Sequence, residues 1–261
     1  VIPKIAHFYW GAKKLSYLRY LTIFSFHKYN PDWKIILYIP STVNENIPWI
    51  SHEQLVPYIG SDYFSLLNSL PIEKKTITTK ESLSEVHKSD ILRLYLLSKY
   101  GGLWSDMDIL YIKPIDLDLS YDVCISRNDV YGYGVGFLLA ASNNKFFFSL
   151  YEEALNKVED VDYQAFGANL YNKKFPHISN IEEAFNIRVC NISMDKISPF
   201  DANNIDEIFQ EVGKLLPEHC IGLHWFGGHP KSGEIQNILT PETVLDMDNY
   251  IGLSVRKILE V

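Results

Sequence analysis

Cysteine is scarce in this chain of 261 residues: Cys124, Cys190 and Cys220 are widely spaced and odd in number. They make no CxxC and no Cys/His ligand spacing, which argues against a disulfide framework and a zinc site and fits a reducing, cytoplasmic setting. Long apolar runs are missing too. None approaches the roughly 18 to 20 residues of a membrane span, and the charged, aromatic start does not read as a signal peptide. Positive charge is in deficit, with 24 Lys+Arg against 32 Asp+Glu and a net charge of −8, so the basic field that nucleic acid demands is lacking. The exception is the N-terminal segment, where Lys4, Lys13, Lys14, Arg19, Lys28 and Lys34 face only Asp32. That segment reads either as a solvated helix face or as a local field for a diphosphate or an anionic membrane surface, which would make the protein peripheral to the membrane's inner face.

Aromatic residues, by contrast, are plentiful: Tyr 17, Phe 14 and Trp 5 can fill a large core and stack on flat ligands or sugar rings. No repeat or low-complexity tract divides the chain, so one domain over residues 1–261 is expected. IPKIAHFYWG (Ile2 to Gly11) reads as a first strand ending in a turn. The apolar spacing of Leu15 to Asn30 predicts a helix stopped before Pro31, and KIILYIP (Lys34 to Pro40) a second strand. Strand, helix, strand opens a mostly parallel sheet flanked by helices. Ser41 to Thr79 is polar and Pro-interrupted, which suggests small helical insertions. Ser82 to Gly102 is the clearest helix, with Ser82 and Glu85 as a capping box and Gly101-Gly102 as its stop. Further strands are expected at LWSD, Tyr121 to Ser126 and Gly134 to Ser142, with a helix over Asn144 to Val158. A final helix is expected to start at Thr240-Pro241 and run toward Val261.

Four Asp-x-Asp pairs occur: Asp106/Asp108, Asp116/Asp118, Asp160/Asp162 and Asp246/Asp248. Residues i and i+2 share a face on extended chain but lie about 200° apart on a helix. Asp246 and Asp248 fall in the expected last helix and so cannot share an ion. Asp116/Asp118 and Asp160/Asp162 lie in polar stretches and read as solvated acids. Asp106 and Asp108 are flanked by Leu103-Trp104 and Ile109-Leu110, where carboxylates are costly unless a hard cation or a paired base compensates. The preceding helix carries Asp90 and Arg93 on its apolar stripe with Leu83, Val86 and Leu97. That pair is either a structural bridge or a projection into a cleft beside Asp106, where both would bond sugar hydroxyls.

Ile2 to Gly11 together with HKSDILRLYLLSKYGGLWSDMDI (His87 to Ile109) resembles the DXD-containing sugar-binding region of glycosyltransferase family 32, and more distantly the glucosylating domains of large clostridial toxins. The resemblance covers about the first 110 residues. It implies an α/β GT-A (Rossmann-like) fold, a nucleotide-diphosphate sugar donor with UDP-hexose favoured, Mn²⁺ or Mg²⁺, and transfer with retention to a saccharide or lipid-linked glycan hydroxyl in surface polysaccharide synthesis. Residues 1–110 would bind the donor, and 111–261 would form the acceptor side and a closing segment. Trp10 would stack on the base and the backbone of Ala6, His7 and Phe8 would hold its edge, although Trp10 also reads as a core aromatic and His7 as a satisfied core histidine. Asp90 and Arg93 would bind the sugar and ribose, Asp106 would face them partly through the metal, and Asp108 would ligate the metal. GLHWFGGHPKSG (Gly222 to Gly233) resembles the family's His/Trp segment. It makes His224, ahead of His229, the third metal ligand, with Trp225 and Lys231 near the leaving group. Gly167 and Asn169 in AFGANLYN fall where the family carries an acceptor-side loop.

Two other classes remain open on sequence: a haloacid-dehalogenase-like phosphohydrolase, whose DxD also follows a strand, and a non-catalytic sugar-binding module. A nucleotidyltransferase would need a glycine-rich loop that WGAKKL does not contain.

Overall fold

The computed structural model describes residues 1–43, 56–157, 164–210 and 213–260. The expected pair Asp160/Asp162 lies outside them. β1 (Ile5–Tyr9), α1 (Tyr17–Tyr29) and β2 (Lys34–Pro40) follow the reading above, because Ser16 caps α1 by accepting from the Arg19 amide and Asn30 ends it ahead of Pro31. β3 (Ile72–Ile77), α2 (Glu85–Lys99), β4 (Gly102–Ser105) and β5 (Ile109–Tyr111) come next, then β6 (Val123–Asn128), β7 (Gly132–Ala140) and α3 (Lys145–Leu155). The remainder is α4 (Ala168–Lys174), α5 (Ile178–Phe185), β8 (Val189–Asn191), α6 (Ile205–Gln210), β9 (Gly222–His224), α7 (Pro230–Ile238), α8 (Thr243–Asp246) and α9 (Tyr250–Leu259).

Seven strands form the sheet in the order β3-β2-β1-β4-β7-β6-β8, with a separate β5-β9 ribbon beside it. β3, β2, β1 and β4 are parallel, β7 runs antiparallel to β4 and β6, and β8 is parallel to β6. The sheet is mostly parallel and flanked by helices, as the strand–helix alternation of the sequence predicts. Period-two alternation sends Phe8, Leu37 and Leu103 to a core with α1 and α9, and Tyr9, Ile36 and Trp104 to a second core with α2 and α3. The order reverses between β1 and β4. A crevice opens at such a switch point, outside the carboxyl ends of the strands. Among the described residues no helix is long and apolar enough to cross a membrane.

Several boundaries differ from expectation for identifiable reasons. Ser84, not Ser82, caps α2, since its hydroxyl accepts from the His87 amide, while Glu85 is taken by the Tyr9 hydroxyl at 2.5 Å and Lys88 at 2.6 Å. The stop is as expected: Gly101 and Gly102 have φ of 65° and 92°, and a Cβ on Gly102 would collide with the Ile5 carbonyl. The expected single C-terminal helix is two, because Asn249 caps α9 on the Gly252 amide. Asp246 therefore ends α8 and Asp248 sits between helices on Arg256, so these acids are surface groups without sharing a helix. Within 41–79 the described residues hold a 3-10 turn at Phe64–Ser69 and the unforeseen β3, whose lysines disguise a strand.

Candidate functional site

Asp106 and Asp108 occupy the turn from β4 to β5, at the switch point. Met107 between them is buried, and its carbonyl accepts from Thr22, so the turn directs both acids the same way, into a cavity of about 290 Å³. Gln164, Ser198, His224, Phe226 and His229 also line it. β7 supplies the opposite wall. The Gly136 carbonyl accepts from the Asp106 amide at 2.8 Å, and a Cβ on Gly136 would lie 2.9 Å from Asp106 Oδ2. A larger residue there would press directly on that carboxylate.

The two acids have different partners. Trp104 Nε1 donates to Asp106 Oδ1 at 2.7 Å, and Arg93 Nη1 stands 3.8 Å from the same oxygen. Burial nonetheless pushes the Asp106 pKa up. Burial acts the same way on Asp108, but the neighbouring His224, with Arg19 and the Gly227 amide, outweighs it and holds this carboxyl well below the usual range. Asp108 Oδ2 accepts from the Gly227 amide at 2.7 Å and faces His224 Nε2 at 3.3 Å. Its Oδ1 is buried with no hydrogen-bond partner. The other ring nitrogen of His224, Nδ1, meets the Ser198 hydroxyl at 3.2 Å. Burial would lower the His224 pKa, yet Asp108 and Asp106 raise it.

Asp90 and Arg93 project from α2 toward the same corner. Arg93 Nη2 donates to Asp90 Oδ1 at 2.6 Å, and both residues are buried. Burial lifts the Asp90 pKa to about 6 despite Arg93. Arg93 Nε is buried with no hydrogen-bond partner, and the Tyr171 hydroxyl lies against the Arg93 guanidinium. Gly167 caps α4 beside them, where a Cβ would strike the Gln164 side chain and approach Asp90 Oδ2 to 3.7 Å. Asn169, on the exposed face of α4, does not line the cavity.

Other expected donor contacts stand elsewhere. The backbones of Ala6 and His7 are paired with both β2 and β4, so the free edge of β1 begins at Phe8. The His7 ring is spent on Tyr38 and the Gly101 carbonyl, and burial pulls its pKa down to about 4, as in a neutral core histidine. Trp10 is half-buried and its face is covered by the Arg19 guanidinium. Trp225 is fully buried, with its amide on the Asp108 carbonyl. Lys231 is not in a loop: His229 caps α7, Pro230 opens it, and Lys231 lies in its first turn. His224 rather than His229 is the histidine beside Asp108. Sequence reasoning missed Arg19, counted there only as one of six bases, and Gln164 and Ser198, which carry no motif at all.

A divalent cation was expected on Asp106, Asp108 and His224. Among the described residues no three acidic, histidine or cysteine groups stand close enough to hold an ion. Two do fit: the orphaned Asp108 Oδ1 and the adjacent His224 make an incomplete oxygen and nitrogen set, which suits a cation that takes its remaining ligands from phosphates and water.

Residues 18–130 match the family described as the glycosyltransferase sugar-binding region containing the DXD motif. Among solved structures, the PaToxG glycosyltransferase is 18% identical, with 70% of this chain and 73% of that one covered at a TM-score of 0.48. A glycosyltransferase involved in glycosylating the major capsid of PBCV-1 is 10% identical over 90% of this chain and 99% of that one, TM-score 0.46. The galactosyltransferase LgtC, solved with donor and acceptor sugar analogues, is 14% identical over 74% of each chain, TM-score 0.41. No curated protein matches by sequence.

Proposed function

From the match of residues 18–130 to a glycosyltransferase sugar-binding region, we propose that the chain is a glycosyltransferase that moves a hexose from a nucleotide diphosphate to a hydroxyl of a glycan, with a divalent cation and retention at the anomeric carbon. The observation that carries this reading is Asp108, an ionised carboxylate with one oxygen buried and unmet beside His224 at the mouth of a sugar-sized cavity. Mn²⁺ or Mg²⁺ held there by Asp108 and His224, with Asp106 facing it, would neutralise charge on the departing diphosphate. Asp90 fixes Arg93, whose guanidinium stands beside Asp106 and would meet the sugar hydroxyls there. In the transfer the bond from the anomeric carbon to the phosphate oxygen breaks. The acceptor hydroxyl attacks on that same face and its proton passes to the leaving phosphate. Gly167 and Gln164 border the sugar, and residues 111–261 supply the acceptor wall.

The rival phosphohydrolase needs its acid pair after the first strand, whereas Trp10-Gly11 follows β1 and the acids follow β4. A lipid-linked acceptor and a membrane-facing cytoplasmic site have less support. Lys4 pairs with Asp32, Lys28 with Glu260 and Lys34 with Glu73, so much of the basic N-terminal charge is already matched. The test is a thermal-shift panel of UDP, GDP and CDP sugars with and without Mn²⁺. A ligand at 100 times its Kd adds about 2.7 kcal/mol of stability. A metal-dependent rise with one donor is expected, and no rise with any of them would defeat the reading.

A further inference from the structure

Arg19 belongs to none of the roles assigned above, yet it is an expensive residue. It stands in the first turn of α1, and its guanidinium lies between two indoles, 4.7 Å from the Trp10 ring and 5.1 Å from the Trp225 ring. Nε donates to Gln236 Oε1 at 3.2 Å, an oxygen that also receives the Ser16 hydroxyl at 2.9 Å. Among the described residues no carboxylate comes within ion-pair distance of it, and no protein acceptor is bonded to its two terminal nitrogens, which remain open to solvent.

Arg19 is half-buried, and a guanidinium withdrawn from part of its water without an anion is costly. Two flat aromatic faces recover part of that cost and hold the fork rigid, and they leave the terminal N–H groups to water or to an incoming anion. The backbone at Gly227 separates Arg19 from Asp108. A Cβ there would collide with Arg19 Nη2 and lie 3.1 Å from Asp108 Cβ, while the Gly227 amide donates to Asp108 Oδ2. The fork thus stands one glycine away from the DxD carboxylate that the reading above gives to a cation. An anion bridging that cation and Arg19 would satisfy both.

We propose that Arg19 binds the donor's diphosphate through its two terminal nitrogens, and that Trp10 and Trp225 act as the clamp of this arginine rather than as platforms for the nucleobase. This rests on the glycosyl-transfer reading, which is what makes a diphosphate the ligand. The shared chemistry is a pyrophosphate group, so inorganic pyrophosphate reports it without the base.

The experiment is calorimetric titration of the full chain with Mn²⁺ and either inorganic pyrophosphate or UDP, GDP and CDP. Arg19→Gln is expected to weaken pyrophosphate and the bound nucleotide by about 10- to 100-fold, the loss of charge-assisted hydrogen bonds. Arg19→Lys keeps the charge but not the fork, and is expected to lose about 10-fold while melting as the parent does. Trp10→Leu is expected to weaken pyrophosphate too, and to add little in the Arg19→Gln background. Parental pyrophosphate affinity in Arg19→Gln or Arg19→Lys would overturn the proposal. So would a Trp10→Leu variant that loses only nucleotide affinity, since that is the signature of base stacking. If the parent binds none of the three diphosphates, the glycosyl-transfer reading fails first and this inference falls with it. Parental binding that is insensitive to Arg19 removes this inference alone.

Discussion

At Asp90 one carboxylate is asked to stay charged in a place that disfavours charge. Burial raises its pKa to about 6, and its ionised form is what anchors Arg93. Because the pKa is raised, the anchor is complete well above pH 6 and is lost as pH falls through that value. With Mn²⁺ saturating, so that metal loading does not titrate, kcat/KM is expected to drop on the acid side with an apparent pKa near 6. Asp90→Asn should lack that limb and sit about 100-fold lower at pH 8. An unchanged acid limb in the variant would assign it to another group. Residues were legible in sequence where chemistry and neighbours conflicted: carboxylates among Leu, Trp and Ile, and an ion pair on an apolar stripe. Arg19 was not, because an arginine at the start of an amphipathic helix is ordinarily a solvated base, and only the approach of Trp225, 206 positions away, makes it otherwise.

Among the elements, the first three came out where their local signals put them, whereas the caps of α2 and α8 and the strands made by tertiary pairing did not. β1, α1 and β2 carry their own caps and alternation. β5 and β9 are three-residue strands that exist because each pairs with the other, Ile109 opposite His224, and no window of either shows a period. That pairing is nevertheless what carries His224 to Asp108. The cap of α2 offers a direct check on the corrected boundary. Ser84→Ala is expected to cost about 1 kcal/mol in chemical denaturation, and Ser82→Ala close to nothing. The reverse ranking would restore the capping box read from the sequence. The C-terminal break is a similar case, in which Asn249 had the chemistry of a cap but lay inside an apparently continuous helix.

For the whole molecule, the order β3-β2-β1-β4 places the end of β1 and the acid turn after β4 side by side, although about 95 residues separate them in the chain. The C-terminal segment then closes over that corner through the β5-β9 ribbon and the Trp225 and Gly227 amides, both on Asp108. A coarse α/β fold was readable from strand–helix alternation, whereas the antiparallel β7 and the closing ribbon depend on contacts too distant in sequence to read. The proposed transfer makes one demand on the molecule, that donor and cation bind together at Asp108. The most direct test is the affinity of the parent and of Asp108→Asn for the nucleoside diphosphate selected by the panel, titrated with and without Mn²⁺. The parent is expected to bind at least about 10-fold more tightly with Mn²⁺, a coupling of about 1.4 kcal/mol, and Asp108→Asn to lose that difference. Equal affinity with and without Mn²⁺ in the parent, or full coupling retained in Asp108→Asn, would contradict the account.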